Sequence, residues 1–206
     1  TMTSGFDYNV EDIHCTDPLR LKCLNEPVQA WYYHNAPYSL LINVIESASN
    51  QNINIFYRTE LANKIGMGGT YFKQDAINLL ITKPRDMARF ALMILANANW
   101  NGQQIISTEY VDEMTRQSQD INKSYGYLWW LNGKDQHRLP GSTFNFNGSL
   151  IPTAPSDLFA GLGKNDQKLY VFPSEDLVVI RMGNSAGTTS PALSDFDETI
   201  FNIYLR

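Results

Sequence analysis

The feature that most constrains this chain is a change of hydrophobic period near its middle. Between residues 84 and 98, Met87, Phe90, Ala91, Ile94 and Leu95 recur at helical spacing, which gathers them on one stripe of a helix. Thr82 and Pro84 stand where a helix start favours them. From residue 125 onward the pattern changes. Residues 125–131, 167–172 and 177–182 are short runs rich in β-branched and aromatic side chains, bounded by Gly, Pro, Asn and Asp, and they read as antiparallel strands. The link at residues 173–176 is short enough for a hairpin. A closing helix is expected over 191–205, carrying Leu193, Phe196, Ile200, Ile203 and Tyr204. Helices followed by a meander of strands predict an α+β arrangement, an antiparallel β-sheet flanked by helices.

Three further segments complete the reading. Residues 37–48 place Leu40, Leu41, Val44 and Ile45 on one stripe behind Pro37, so a helix with one buried face is expected. A second amphipathic helix is expected from about residue 53 to 64, ending at Gly66, because glycine tolerates the left-handed conformation of a helix stop. Another should begin after Ser107, with Glu109 in its first turn, since serine caps the free N–H groups and a carboxylate suits the positive end of the helix dipole. Residues 4–27 are polar and aperiodic and predict a long ordered loop.

Composition removes several function classes. The 206 residues are 43% hydrophobic and 18% charged, with a net charge of −5 and scattered Lys and Arg, so no phosphate-neutralising patch is visible and nucleic acid is not an expected partner. The apolar-rich stretches are interrupted well short of the roughly 20 residues that span a bilayer, so no membrane-spanning segment is expected. His14, His34 and His137 are far apart and the chain has no Cys/His cluster at ligand spacing; neither a metal nor another cofactor is expected. Cys15 and Cys23 lie in a polar stretch and would pair in an exported protein or stay free in the cytoplasm.

Residues 27–35, Pro-Val-Gln-Ala-Trp-Tyr-Tyr-His-Asn, run directly into an amphipathic helix. They are similar to the P-G-x-x-F/W-x-Y-x-N element of the class C β-lactamase and penicillin-binding-protein family, with Tyr33 and Asn35 on its Y-x-N positions. Thr1 to Gly5 resemble that family's T-M-T-S-G loop, residues 84–90 its A-R-D-M-A-R-F helix start, residues 101–107 its W-x-G-x-x-I-L-S turn, residues 125–130 its Y-G-Y-G-W-W strand and residues 170–183 its V-D-P-x-x-D-L-V-V-V hairpin. The order is the family's order across nearly the whole chain.

The resemblance implies a β-lactamase/transpeptidase-like fold in which residues 1–206 are the C-terminal portion of a single serine hydrolase domain, its N-terminal part missing. It implies acyl-enzyme chemistry on a small-molecule ester, amide or peptide-like substrate, in which the serine of an S-x-x-K pair attacks and the paired tyrosine relays a proton. Tyr33 would be that relay and Asn35 would orient the lysine or the substrate amide. The family's K/H-x-G strand falls on Gly161, Leu162 and Gly163, with the backbone N–H of Lys164 completing an oxyanion hole. Gly161 replaces the family's cation, which argues against β-lactam carboxylate recognition and favours the esterase and 6-aminohexanoate-dimer hydrolase branch. No serine in the 206 residues has a lysine three positions on, so the nucleophile is expected upstream and this chain alone is expected to be inactive. The alternative is a non-catalytic binding or scaffold protein that keeps the fold.

Read without the family, Tyr33 belongs to the aromatic run 31–33 and would pack, and Gly161 and Gly163 would mark a strand bulge. His34 is expected to be a loop histidine, and Trp129 and Trp130 to divide between core and cleft rim. The family's usual address implies the periplasm or cell envelope. An incomplete sheet implies an open edge or an uncovered apolar face, hence pairing with the missing N-terminal segment or homo-oligomer formation.

Overall fold

The computed structural model of the chain describes residues 1–8, 15, 17, 19–74, 77–185 and 195–204. Helices come first: α1 (Asn35–Ser39), α2 (Leu41–Ser49) and α3 (Ile53–Tyr57). The last continues through a π-helical turn, Arg58–Ala62, into α4 (Asn63–Ile65), and Gly66 ends it at φ 69. A hairpin of β1 (Thr70–Gln74) and β2 (Ile77–Ile81) leads to α5 (Pro84–Leu95). The short strands β3 (Asn99–Trp100) and β4 (Gln103–Gln104) precede α6 (Thr108–Met114). Ser107 caps α6, its Oγ accepting from Tyr110 N at 3.2 Å.

After β5 (Trp130–Leu131) and the small hairpin β6 (Gln136–His137) and β7 (Phe146–Asn147), the chain lays down β8 (Phe159–Gly163), β9 (Gln167–Phe172), β10 (Leu177–Arg181) and α7 (Asp195–Tyr204). The main sheet is antiparallel in the order β10-β9-β8-β5. It matches the α+β expectation, and strand alternation divides the core in two. Leu169 and Val171 of β9 pack with Ala91, Met93 and Ile94 of α5. Their neighbours Tyr170 and Phe172 face the other way, against Phe201 of α7.

Several expectations need correction. The stripe Leu40, Leu41, Val44 and Ile45 is not a buried face: no residue of α2 is buried, and Leu41 and Val44 are 48% and 60% exposed. Helical periodicity states which side chains share a face but not whether anything covers it. Residues 125–131 are not one strand. Tyr125 bridges to Trp130, Gly126 N donates to Trp129 O at 2.8 Å, and Leu128 has φ 64, so the run folds back on itself and only its last two residues enter the sheet. Gly126 permits this because a Cβ there would lie 2.3 Å from Met114 O. The hairpin β1–β2 was not anticipated; its outward face exposes Phe72, Leu79 and Ile81.

The closing helix is described over Asp195–Tyr204; residues 191–194 and 205, including Leu193, lie outside the described residues, as do residues 9–14, 16 and 18 of the expected loop. Cys15 and Cys23 are not joined.

Candidate active site

The tyrosine of the Y-x-N pattern sits on a loop fixed at both ends. Val28 N donates to Thr3 O at 3.0 Å and Tyr32 N to Met2 O at 3.1 Å, which lays the first residues of the chain beside residues 28–32. Gly5 makes this approach possible: a Cβ there would stand 2.2 Å from Asn25 O. Tyr8 stacks on Tyr32 with centroids 3.9 Å apart, and Arg138 Nη1 donates to Trp31 O at 3.3 Å. Trp31 is fully buried and packs edge-on against Tyr125 and Trp130. Tyr33 then lies flat on Trp130, 5.8 Å between centroids, and edge-on to Tyr125 at 6.2 Å. Burial, with a smaller contribution from the phenol of Tyr38, pushes the Tyr33 hydroxyl up to about 12, so it is protonated at neutral pH. His34 is buried, and Asn35 opens α1, where its carbonyl accepts from Ser39 Oγ at 2.9 Å.

Gly161, Leu162 and Gly163 form the end of β8. Asn132 N donates to Leu158 O at 2.9 Å, and the register pairs Leu131 with Phe159 and Trp130 with Ala160. Backbone groups alternate sides along an antiparallel strand, so those of Leu158, Ala160 and Leu162 point to the β5 side. Because β5 begins at Trp130, no described strand lies opposite Leu162, and its N–H and C=O face an open edge. Gly163 is itself extended, at φ −111 and ψ 165, which carries the alternation on to the N–H of Lys164.

An open groove of about 540 Å³ runs along this edge, within the range of roughly 300–1,000 Å³ that ligand sites occupy. Tyr33 and Trp130 line one side, Gly161 to Gly163 the strand end, and Met87, Phe90 and Trp129 the side nearest α5, with Leu169 and Ile180 also in the wall. Phe90 and Trp129 stack with planes 8° apart. Of the residues singled out in the sequence, Tyr33, Gly161, Leu162 and Gly163 line this groove; Asn35 and Lys164 do not. Trp129 and Trp130 both line it while packing into the two different halves of the core.

Lys168 and Arg181 also line the groove. The Lys168 ammonium is buried, 2.9 Å from Asp197 Oδ2 and 3.2 Å from Asp166 Oδ1, and the hydroxyl of Tyr170 donates to the other oxygen of Asp197. Arg181 Nη1 donates to the Asp166 carbonyl at 2.8 Å and Nη2 to Asn184 O at 2.5 Å. These positive charges are therefore engaged by the protein itself. Sequence reasoning missed this cluster. Its signal was Lys168, a charge on the same side of β9 as Tyr170 and Phe172. Among the described residues, no group of three or more His, Cys, Asp or Glu side chains is arranged to hold a metal ion, and no helix is long and apolar enough to cross a membrane.

Comparison with known proteins places this fold in a class. The β-lactamase family model matches residues 1–200, and the chain belongs to that family of serine hydrolases. Comparison with curated protein sequences finds no match. Among solved structures, it is similar to a putative 6-aminohexanoate-dimer hydrolase from Bacillus anthracis, with 21% identity and a TM-score of 0.66 over 91% of this chain and 46% of that one. A putative β-lactamase from Bacteroides dorei aligns with 15% identity and a TM-score of 0.68, covering 98% and 68% of the two chains. A penicillin-binding protein from Bacillus halodurans aligns with 16% identity and a TM-score of 0.63, covering 100% and 70%. At such identities the likeness establishes the β-lactamase/transpeptidase-like fold. The chain spans just under half the length of the Bacillus anthracis hydrolase.

Proposed function

We propose that this chain is the C-terminal portion of a single-domain serine hydrolase that cleaves an ester, amide or peptidic substrate through an acyl-enzyme, with the nucleophilic Ser and its Lys supplied from outside these residues. The observation that carries the reading is that Tyr33 lines the same groove as the open edge of β8. Acyl transfer needs a proton relay and an oxyanion donor around one carbonyl carbon. In this reading Tyr33 is the relay, Asn35 orients the lysine or the substrate amide, and Leu162 and Lys164 present backbone groups along the edge. Burial, aided by the Tyr38 phenol, favours the protonated Tyr33 phenol, so the relay depends on a neighbouring ammonium to favour the phenolate. The S-x-x-K lysine is the group this reading assigns to that task.

The substrate is neutral and largely apolar in this reading. Gly161 offers no cation, Lys168 and Arg181 are engaged by protein oxygens, and the remaining walls are mostly aromatic or aliphatic. Efficient penicillin hydrolysis is therefore not expected. The family resemblance supports an address in the periplasm or cell envelope, which fractionation of the source cells tests.

The deciding experiment compares the full-length gene product with residues 1–206 on a p-nitrophenyl ester and on a penicillin. The full-length protein should turn over the ester and be weak on the penicillin, and the 206 residues alone should be inactive. A full-length protein that carries an intact S-x-x-K and hydrolyses neither substrate supports a binding or scaffold role instead.

A further inference from the structure

The turn Lys164–Asp166 between β8 and β9 contains two consecutive non-glycine residues in the left-handed region, Asn165 at φ 58 and Asp166 at φ 65. In that region the Cβ of an L-residue crowds the following carbonyl, so such a pair persists only where its surroundings hold it. Here three side chains from β9 and β10 do so. Gln167 Nε2 donates to Asn165 O at 2.9 Å, Lys168 Nζ lies 3.2 Å from Asp166 Oδ1, and Arg181 Nη1 donates to the Asp166 carbonyl at 2.8 Å. Gln167 is itself fixed by Gly183, donating to its carbonyl at 2.5 Å and accepting from its N–H at 3.0 Å. The Asp166 side chain is only 3% exposed. A surface hairpin does not require so many side-chain contacts to turn, one of them the buried Lys168–Asp166 pair; glycine would have sufficed.

We infer that Asp166 and Gln167 are positioning residues of the site: they clamp this turn so that the backbone N–H of Lys164 stays aimed along the open edge of β8. The inference rests on the function proposed above, in which that N–H is an oxyanion donor. A donor fixed before the reaction costs no reorganisation when negative charge develops on the substrate oxygen. The charge is fully developed only in the transition state, so loosening the donor lowers kcat and leaves KM nearly unchanged.

The test uses the full-length protein with Asp166→Asn, Asp166→Gly and Gln167→Leu, measuring ester kcat and KM and hydrogen exchange of the Lys164 amide. Each variant should lower kcat by about 10- to 100-fold, less than the roughly 10²- to 10³-fold of losing an oxyanion donor outright because the donor is loosened and not removed, with KM within about twofold and faster exchange at Lys164. Asp166→Gly separates the clamp from simple tolerance of a left-handed φ, since glycine satisfies the second but not the first. Gln167 is half-buried, so Gln167→Leu decides the matter should the Asp166 variants fail to fold. Unchanged kcat in an active enzyme, or a raised KM alone, overturns the clamp and leaves the hydrolase reading intact. A full-length wild type without esterase activity overturns the hydrolase reading and the oxyanion role together.

Discussion

Tyr33 lies flat against Trp130, with ring centroids 5.8 Å apart and planes 14° from parallel. The phenyl ring is thus part of the packing, while the hydroxyl is the only group that chemistry would use. Tyr33→Phe keeps the stacked ring and removes the hydroxyl. In the full-length protein it should lower ester turnover by about 10² or more, the usual worth of a positioned acid or base, with a melting temperature close to wild type. Undiminished turnover would remove Tyr33 from the mechanism.

The same burial makes stability sensitive to alkaline pH. The folded-state value of Tyr33, about 12, lies above the roughly 10 of an unfolded tyrosine. Its contribution is therefore fully present below about pH 10 and is lost as pH rises toward 12. Tyr125 and Tyr170 are also shifted upward by burial and steepen the fall. Urea midpoints should decline over this window, and Tyr33→Phe should flatten the decline by about one proton's worth of slope.

Asp197 joins α7 to the sheet by accepting from both Lys168 and Tyr170. Asp197→Ala strands a buried ammonium with one carboxylate instead of two and leaves a buried hydroxyl unpaired. The expected cost is about 3 kcal/mol, in the range for breaking one partner of a buried pair. Asp197→Asn, which still accepts from Tyr170, should cost less. Chemical denaturation of both variants measures the difference.

Val44 and Ile94 belong to helices of similar amphipathic pattern but opposite fate, 60% and 1% exposed. In this chain Val44→Ser should change stability by no more than about 0.5 kcal/mol. Ile94→Ala should cost about 2–5 kcal/mol through lost burial and a cavity. Comparable thermal shifts for the two would mean that α2 is covered after all.

Much of the fold was legible because local physics writes it into the sequence. The stripe of Met87, Ala91 and Ile94, the cap at Ser107, the stop at Gly66 and the β-branched and aromatic runs at 167–172 and 177–182 all follow from short-range geometry, and each element formed close to where it was expected. The family resemblance was legible too, through ordered motifs at Tyr33-x-Asn35 and residues 161–163.

Only the tertiary structure decided what those elements meet. Residues 37–48 have the stripe of a packed helix, yet no residue of α2 is buried, because burial depends on a neighbour that periodicity does not encode. The run 125–131 has strand composition but folds back at Leu128, since Gly126 must pass close to Met114 O. The open edge at Leu162 arises because β5 starts too late to cover it, a fact of register between strands nearly 30 residues apart. The clamp of Gln167, Lys168 and Arg181 on a left-handed turn likewise depends on side chains from two neighbouring strands. The sequence pointed to Tyr33 and residues 161–163; the pairing of strands and their packing on α5 determined which other residues share their groove.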